Sequence, residues 1–197
     1  GGDAGGRRVG KRRECARADA AARHRGAIAC SGYSTRAPEQ INYLLQSSRC
    51  RVVVTERMYL PQVLAARASE VEHIVLVDAE ADGTITLADL GRRQSRGFQF
   101  EEAWRECQPD DVLTLIYTSG TTGPPKAVQL THAGVMFMAR GYARAIPVIV
   151  GGRGISYLPL AHVGERALGY YAGSMCFATA VTSIPDPRQI GAALVSV

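Results

Sequence analysis

The chain has 197 residues, of which 46% are hydrophobic and 21% are charged. These values are ordinary for a globular protein, and they exclude a fibrous or wholly disordered chain. The length is enough for one domain with a hydrophobic core, or at most for two small domains.

The net charge of +5 is concentrated at the amino terminus. Residues 1–25 carry eight basic and three acidic side chains, and the charges of the remaining residues cancel. A basic arm can bind nucleic acid or an anionic membrane surface. No aromatic residue lies among these charges and no helical stripe organises them, so a solvated tail is the favoured interpretation. We therefore expect no specific nucleic-acid partner and at most a peripheral contact with a membrane.

The five cysteines are scattered, and none forms a C-x-x-C pair that would indicate a zinc or redox site. Free thiols are typical of a cytosolic protein. The sequence has no run of about 18 apolar residues that could cross a membrane, and no apolar signal segment follows the basic residues. The predicted location is the cytoplasm, and no metal ligands are predicted.

The first elements differ from the rest of the chain in composition. Residues 1–13 are rich in glycine and arginine and show no period, which predicts disorder. We place a basic, disordered leader at residues 1–19 and the start of the domain at residue 20. An alanine-rich helix over 15–25, ended by Gly26, overlaps this boundary.

Beyond residue 27, short apolar strands alternate with amphipathic helices. Apolar residues at helical spacing predict helices over about 38–48 and 58–68, and β-branched runs predict buried strands over 51–55 and 73–77. The segment 84–109 is less regular. This alternation predicts an α/β fold, in which βαβ units form a mainly parallel sheet with flanking helices.

The second half of the chain continues the same alternation. The predicted elements are, in chain order, a strand at 112–117, a loop at 118–125, a helix from Thr131 to about 145, a strand at 155–158, a helix at 163–176, a strand at 178–184 and a helix at 189–197.

The loop after the strand at 112–117 carries the clearest chemistry. Residues 117–128 read YTSGTTGPPKAV and directly follow a strand of the buried type. In open α/β sheets, ligands bind where the strands end. The predicted ligand-binding residues offer a hydroxyl group, a flexible backbone or a positive charge: Thr118, Ser119, Gly120, Thr121, Thr122, Gly123 and Lys126.

This composition suits a polyphosphate. Glycines let backbone N–H groups approach an anion, hydroxyls donate to phosphate oxygens, and Lys126 adds a compact positive charge. The order is not that of a Walker A loop, because Pro125 precedes the lysine and Ala127 follows it. On composition alone, a flexible turn is an equally good interpretation.

The full order T-S-G-T-T-G-x-P-K resembles the signature of the adenylate-forming superfamily, which includes acyl-CoA synthetases, luciferases and non-ribosomal adenylation domains. Leu-Thr-His at 130–132 is similar to the triplet that follows the loop in that family. LPLAHVGER at 158–166 resembles a segment of long-chain fatty acyl-CoA synthetases, and 34–47 and 51–56 resemble their upstream segments. The resemblance covers about residues 20–197, and it identifies them as a partial AMP-binding domain.

The resemblance implies a two-step reaction, in which ATP and a fatty acid form an acyl-adenylate with the help of Mg²⁺ and the acyl group then passes to coenzyme A. The loop residues named above would grip the β- and γ-phosphates. Lys126 and His162 are the implied catalytic residues, with His162 beside the acyl carboxylate. A histidine packed against a backbone carbonyl is the alternative for His162. Glu165 and Arg166 have no implied role, and a surface ion pair is the default interpretation.

One residue of the loop departs from the family pattern. Ala127 stands where the family usually has glycine. If that position required a positive φ, alanine would cost about 1 kcal/mol.

Several segments that the family uses have no counterpart in this sequence. There is no Tyr-Gly-x-Thr-Glu segment to contact adenine and supply a glutamate ligand for Mg²⁺, and the only Gly-Asp pair is Gly2-Asp3. The only lysines are Lys11 and Lys126, so the lysine of the family's carboxyl-terminal domain is missing too. We expect a truncated fragment without that domain, which cannot complete adenylation alone and could pair with a complementary downstream fragment. The alternatives are a non-catalytic nucleotide-binding fragment and a remnant without function.

Overall fold

The computed structural model describes residues 4–8, 13–32, 37–66, 68–93, 97–118, 123–146, 149–176 and 180–183. The strands in these ranges are β1 (Ala4–Arg8), β2 (Ile28–Ser31), β3 (Cys50–Thr55), β4 (His73–Leu76), β5 (Ile85–Thr86), β6 (Val112–Thr118), β7 (Lys126–Thr131), β8 (Arg153–Ser156) and β9 (Ala180–Ser183). The α-helices are α1 (Arg13–His24), α2 (Pro38–Ser47), α3 (Leu60–Ala66), α4 (Leu87–Arg92), α5 (Phe100–Arg105) and α6 (His132–Ala145). A 3₁₀ turn at Arg57–Tyr59 precedes α3, and a π-helix spans Gly164–Cys176.

Seven of these strands form one sheet in the order β5-β4-β3-β1-β2-β6-β7. Neighbouring strands are parallel except for β6 and β7, which are antiparallel. Strands β8 and β9 form a separate parallel pair. The predicted α/β class with a mainly parallel sheet is therefore confirmed.

Helices cover both faces of the larger sheet. Val53 of β3 packs with residues of α2 and α3, among them Ile41 and Val63, in one apolar cluster. The next residue along β3, Val54, packs with Val75 and Ile85 in a different cluster. Successive side chains of a strand point to opposite faces, so a strand covered on both faces is apolar throughout. This explains why the run RVVVT predicted β3 correctly.

The amino-terminal segment differs most from its prediction. Residues 4–8 and 13–19, which belong to the leader predicted to be disordered, form a strand and part of a helix in the structure. Strand β1 pairs in parallel with both β2 and β3, and α1 begins at Arg13. Asp19, the last residue of the predicted leader, is fully buried. Strand pairing uses backbone N–H and C=O groups, which neighbouring strands satisfy whatever the local propensity. The sequence AGGRR gives no sign of such a position.

Other elements change in bounds or in kind. The helix predicted over 58–68 begins as a 3₁₀ turn, and the irregular segment 84–109 contains β5, α4 and α5. The helix predicted over 163–176 is a π-helix, and the helix predicted over 189–197 lies outside the described residues. Within the described ranges, the helices are all too short or too polar to cross a bilayer.

Candidate functional site

The predicted phosphate loop connects β6 and β7 in a β-hairpin at the carboxyl end of β6. Thr118, the last residue of β6, pairs with Lys126, the first residue of β7. Residues directly opposite each other in such a pair have Cβ atoms about 5 Å apart. The hairpin therefore brings Thr118 and Lys126 within reach of one anion. Four predicted ligand-binding residues of the loop lie outside the described residues: Ser119, Gly120, Thr121 and Thr122.

Helix α2 holds the hairpin at both ends of this loop. The Tyr117 hydroxyl shares a 2.7 Å hydrogen bond with Ser47 Oγ, and the Tyr43 hydroxyl donates to the carbonyl oxygen of Pro125 at 2.9 Å. Burial raises the pKa of Tyr117, so its phenol stays neutral and keeps the hydrogen bond with Ser47. Sequence reasoning missed both tyrosines, because nothing in the local pattern shows that α2 packs against this strand.

The groups that could bind an anion face solvent. Thr118, Gly123 and Lys126 are all exposed, and no ion pair holds the Lys126 ammonium to a carboxylate in the described ranges. Gly123 has a φ of +96°, a conformation that other residues rarely adopt. The hairpin therefore presents a positive charge beside a hydroxyl group, and no carboxylate of the described ranges pairs with it.

The departure at Ala127 causes no strain. Ala127 pairs with Tyr117 inside the hairpin ladder. Among the described non-glycine residues, positive φ occurs only at Arg49. The condition under which alanine would be costly at this position is therefore not met.

His162 lies between β8 and the π-helix, with an exposed ring. Its Nδ1 atom accepts a hydrogen bond from the backbone N–H of Gly164 at 3.1 Å. An N–H group can only donate, so the neutral ring must carry its proton on Nε2. The ring is thus fixed by a backbone donor rather than by a backbone carbonyl, and its Nε2 proton can be donated to a ligand.

The next two polar side chains of this segment are buried. The Glu165 carboxylate accepts hydrogen bonds from Ser156 Oγ and, at 3.3 Å, from the backbone N–H of Leu158. It thereby joins the start of the π-helix to the end of β8 and to the loop that contains His162.

Arg166 is 0% exposed and contacts three different elements. Its Nε donates to Thr114 Oγ1 at 2.7 Å, its Nη1 to Ser31 Oγ at 2.7 Å, and its Nη2 to Asp19 Oδ1 at 2.9 Å. The surface ion pair expected between Glu165 and Arg166 is therefore wrong. The true partner of Arg166 is 147 residues away in the chain, where no local pattern could show it.

Side chains from both parts of the site pack together. Leu113 of β6, Val135 of α6 and Tyr171 of the π-helix form one apolar cluster, and Leu130 of β7 packs against it. The hairpin and the helix that follows His162 therefore share a core.

The donor set fits a phosphate better than a metal ion. A hydroxyl and an ammonium are donors that match phosphate oxygens. In the described part of the chain, no three His, Cys, Asp or Glu side chains are grouped to hold a metal. We therefore assign Mg²⁺ no ligand and no step among these residues.

A mainly parallel α/β sheet, with a hairpin that presents a hydroxyl and an ammonium group at the carboxyl end of a strand, is typical of nucleotide- or phosphate-binding α/β proteins. Residues 8–196 match the family described as AMP-binding enzyme, and the chain belongs to that family.

Two curated relatives come from Mycobacterium tuberculosis. "Putative fatty-acid–CoA ligase fadD11" is 46% identical over 115 residues, which are 58% of this chain and 20% of the relative. Long-chain-fatty-acid–CoA ligase FadD13 is 33% identical over 141 residues, which are 70% of this chain and 26% of the relative. The chain thus spans about a fifth to a quarter of the length of these relatives.

A solved structure matches the fold along nearly the whole chain. The inhibitor-bound N-terminal domain of FACL13 from Mycobacterium tuberculosis superimposes with a TM-score of 0.79 and 27% identity. The match covers 99% of this chain and 48% of that domain.

Proposed function

We propose that this chain supplies the polyphosphate-binding part of an AMP-forming fatty acid–CoA ligase. The observation that carries the proposal is the hairpin in which Thr118 faces Lys126 at the carboxyl end of β6. Membership of the AMP-binding enzyme family supports ATP as the nucleotide. The names of the relatives support a fatty acid as the second substrate and coenzyme A as the acceptor.

In this proposal the hairpin binds the β- and γ-phosphates of ATP. A carboxylate oxygen of the fatty acid attacks the α-phosphorus, the bond from that phosphorus to the bridging oxygen breaks, and pyrophosphate leaves. Negative charge grows on the leaving pyrophosphate, where Lys126 and the hydroxyls of the loop stabilise it. The backbone of Thr118 and Lys126 is already paired in the β6–β7 ladder, so these two residues need little reorganisation as the charge develops.

His162 acts on the acid. Its Nε2 proton donates to one carboxylate oxygen of the fatty acid, and this bond leaves the other oxygen free to attack. The hydrogen bond from Gly164 to Nδ1 keeps the proton on Nε2. Mg²⁺, when bound with ATP, would neutralise part of the phosphate charge, and coenzyme A would take the acyl group in a later step.

The first test is the affinity of Lys126→Met for Mg·ATP and for tripolyphosphate, measured by calorimetry. Loss of a charged hydrogen-bond donor should weaken the binding of both ligands by about tenfold to a hundredfold. The matched control is Lys11→Met, which removes the only other lysine of the chain. Equal affinities for wild type and Lys126→Met would rule out this function for the hairpin.

The second test concerns turnover. The sequence contains neither the adenine and magnesium segment nor the second lysine that the resemblance requires. We therefore expect the 197-residue chain to bind Mg·ATP without exchanging pyrophosphate in the presence of dodecanoate. Exchange above the background of Lys126→Met would contradict this expectation.

A partner-complementing role is the second candidate. Strand β7 lies at one edge of the sheet, and its first four residues are exposed. Such an edge can pair with a strand of another chain. Mixing the chain with a polypeptide that carries the remaining length of a relative should restore pyrophosphate exchange if this role is correct.

A further inference from the structure

We infer that Arg166 is a positioning residue, which fixes the loop that contains His162 against the strand that leads to the phosphate hairpin. The inference rests on the proposed function, in which His162 and the hairpin bind two parts of one reacting complex. Nothing in the family match or in the names of the relatives assigns a role to this arginine.

The contacts of Arg166 join elements that are distant in the chain. One guanidinium donates to Thr114 of β6, to Ser31 of β2 and to Asp19 of α1. The backbone N–H of Arg166 donates to the carbonyl oxygen of His162 at 3.0 Å. A single residue thus connects the His162 segment to two strands of the larger sheet.

The connection to β6 is the important one. Thr114 precedes Thr118 by four residues on the same strand, a distance of about 13 Å. Its hydroxyl donates to the carbonyl oxygen of Ala29 while it accepts from Arg166 Nε, so its orientation is determined on both sides. Arg166 is therefore held at a fixed distance from the hairpin, because β6 is paired on both sides and is stiff between Thr114 and Thr118.

Glu165 completes the arrangement on the opposite side. Its carboxylate holds Ser156 and Leu158 on the β8 side, while Arg166 holds the larger sheet. His162 lies between these attachments. The pair Glu165–Arg166 therefore sets the separation between His162 and the Thr118–Lys126 hairpin.

Stability alone does not explain a charge at this position. Arg166 and Asp19 are both 0% exposed. A buried ion pair is often no more stabilising than apolar residues of the same volume, because each charge loses its hydration. The planar guanidinium of Arg166, however, fixes its hydrogen-bond partners in one defined geometry. That property is what a positioning residue needs.

The test compares three probes on wild type, Arg166→Met and the control Arg153→Met, whose arginine is exposed on β8. Tripolyphosphate reports on the hairpin, dodecanoate reports on the His162 side, and dodecyl triphosphate must occupy both together. Misplacement of two binding groups by about 1 Å can cost up to a hundredfold. We expect Arg166→Met to weaken the binding of dodecyl triphosphate by about tenfold or more, while its affinity for tripolyphosphate stays within about twofold of wild type. The control should leave all three affinities unchanged.

If Arg166→Met lost the same affinity for tripolyphosphate as for dodecyl triphosphate, the inference would be overturned. Unchanged affinity for both ligands would overturn it too. If Arg166→Met shows no cooperative melting, Thr114→Val replaces it, because this variant keeps the arginine and removes the acceptor on β6. Thr114→Val should also weaken the binding of dodecyl triphosphate more than that of tripolyphosphate, but by a smaller factor than Arg166→Met. An unselective loss in that variant would also overturn the inference.

A second measurement needs no ligand and separates the two proposals. Nitrogen-15 NMR of His162 should show the Nε2-protonated tautomer in wild type and in Arg153→Met, and a mixture of tautomers in Arg166→Met. An unchanged tautomer in Arg166→Met would overturn the positioning role. If wild type does not bind tripolyphosphate, the proposed function fails, and the tautomer result still decides what Arg166 does.

Discussion

At the start of α4, Asp89 and Thr86 form a reciprocal cap. The Asp89 carboxylate accepts from the hydroxyl and the backbone N–H of Thr86, and Thr86 Oγ1 accepts from the N–H of Asp89 at 3.0 Å. The two hydrogen bonds that the carboxylate accepts from Thr86, followed by the one from Arg92, lower the pKa of Asp89 from 3.8 to about 2. A lowered carboxyl pKa favours the folded chain above the ordinary value, and this contribution is lost as the pH falls towards 2.

We expect the NMR titration midpoint of the Asp89 carboxyl to lie near 2 and to rise towards 3.8 in Thr86→Ala. The hydroxyl of Thr86 makes the largest contribution to the lowered pKa, so its removal should have the clearest effect. Thr86→Ser keeps the hydroxyl and should keep the low midpoint. An unchanged midpoint in Thr86→Ala would show that the cap is not formed in solution.

His132, the first residue of α6, gives a pH dependence of the same sign at higher pH. Burial lowers its pKa below 6.5, Arg23 lowers it further, and Asp111 opposes both effects. The unfolded chain therefore binds the proton more tightly than the folded chain does. Stability should rise with pH until about 6.5 and fall as the pH decreases below that value.

The variant His132→Gln should lose this part of the pH dependence. Urea unfolding from about pH 7.5 down to about pH 5.5 should show a smaller decrease in the free energy of unfolding for the variant than for wild type. His73→Gln, at an exposed position of β4, controls for the removal of a histidine. Parallel curves for wild type and His132→Gln would contradict the expectation.

At the scale of elements, the sequence predicted what depends on neighbouring residues. Thr131 is the predicted cap of α6, and its Oγ1 accepts from the backbone N–H of Gly134 at 3.1 Å. The apolar run of β3 and the loop after β6 were likewise visible locally. Strand β7 was missed, because its residues are mostly exposed and only the pairing with β6 makes them a strand.

The π-helix offers a test at this scale, since two of its glycines differ in their surroundings. A Cβ on Gly169 would lie 2.9 Å from Glu165 Oε1, whereas a Cβ on Gly173 would meet nothing closer than the Leu168 carbonyl oxygen at 3.4 Å. Gly169→Ala must displace the buried carboxylate from Ser156 and Leu158. We expect it to destabilise the chain by about 1–3 kcal/mol in denaturant unfolding.

Gly173→Ala is the matched control in the same helix. Its added methyl group has room, and alanine reduces the freedom of the unfolded chain, so the stability should stay level or rise by about 0.4–1 kcal/mol. If the two variants lost the same stability, the contact between Gly169 and Glu165 would not be the cause.

At the scale of the whole molecule, the sheet ends in an exposed antiparallel strand. β7 is the outermost strand on its side, and Val128 in its middle is 43% exposed. In the described part of the chain no strand pairs with the outer side of β7, and such an edge favours pairing between chains. We expect the wild-type chain to self-associate with rising concentration in sedimentation velocity, and Val128→Lys to reduce that association.

Met58→Lys provides the comparison, because Met58 is also exposed but lies in the 3₁₀ turn after β3. It adds the same charge away from the edge strand and should leave self-association as in wild type. If both lysine variants reduced it equally, net charge rather than the edge would be responsible.

The sequence by itself determined the class of the fold, the cap of α6, the buried strands β3 and β4, and the family signature in the loop between β6 and β7. Each of these features depends on residues that are adjacent or one helical turn apart, so the pattern carries them directly. Tertiary structure decided the place of β1 in the sheet, the pairing of Thr118 with Lys126, and the burial of Arg166 against Asp19. These features join groups that meet only when strands and helices from distant parts of the chain pack together. The loop sequence indicated a phosphate, but only tertiary packing, around Arg166 and in the cluster of Leu113 and Tyr171, connected that loop to the segment that contains His162.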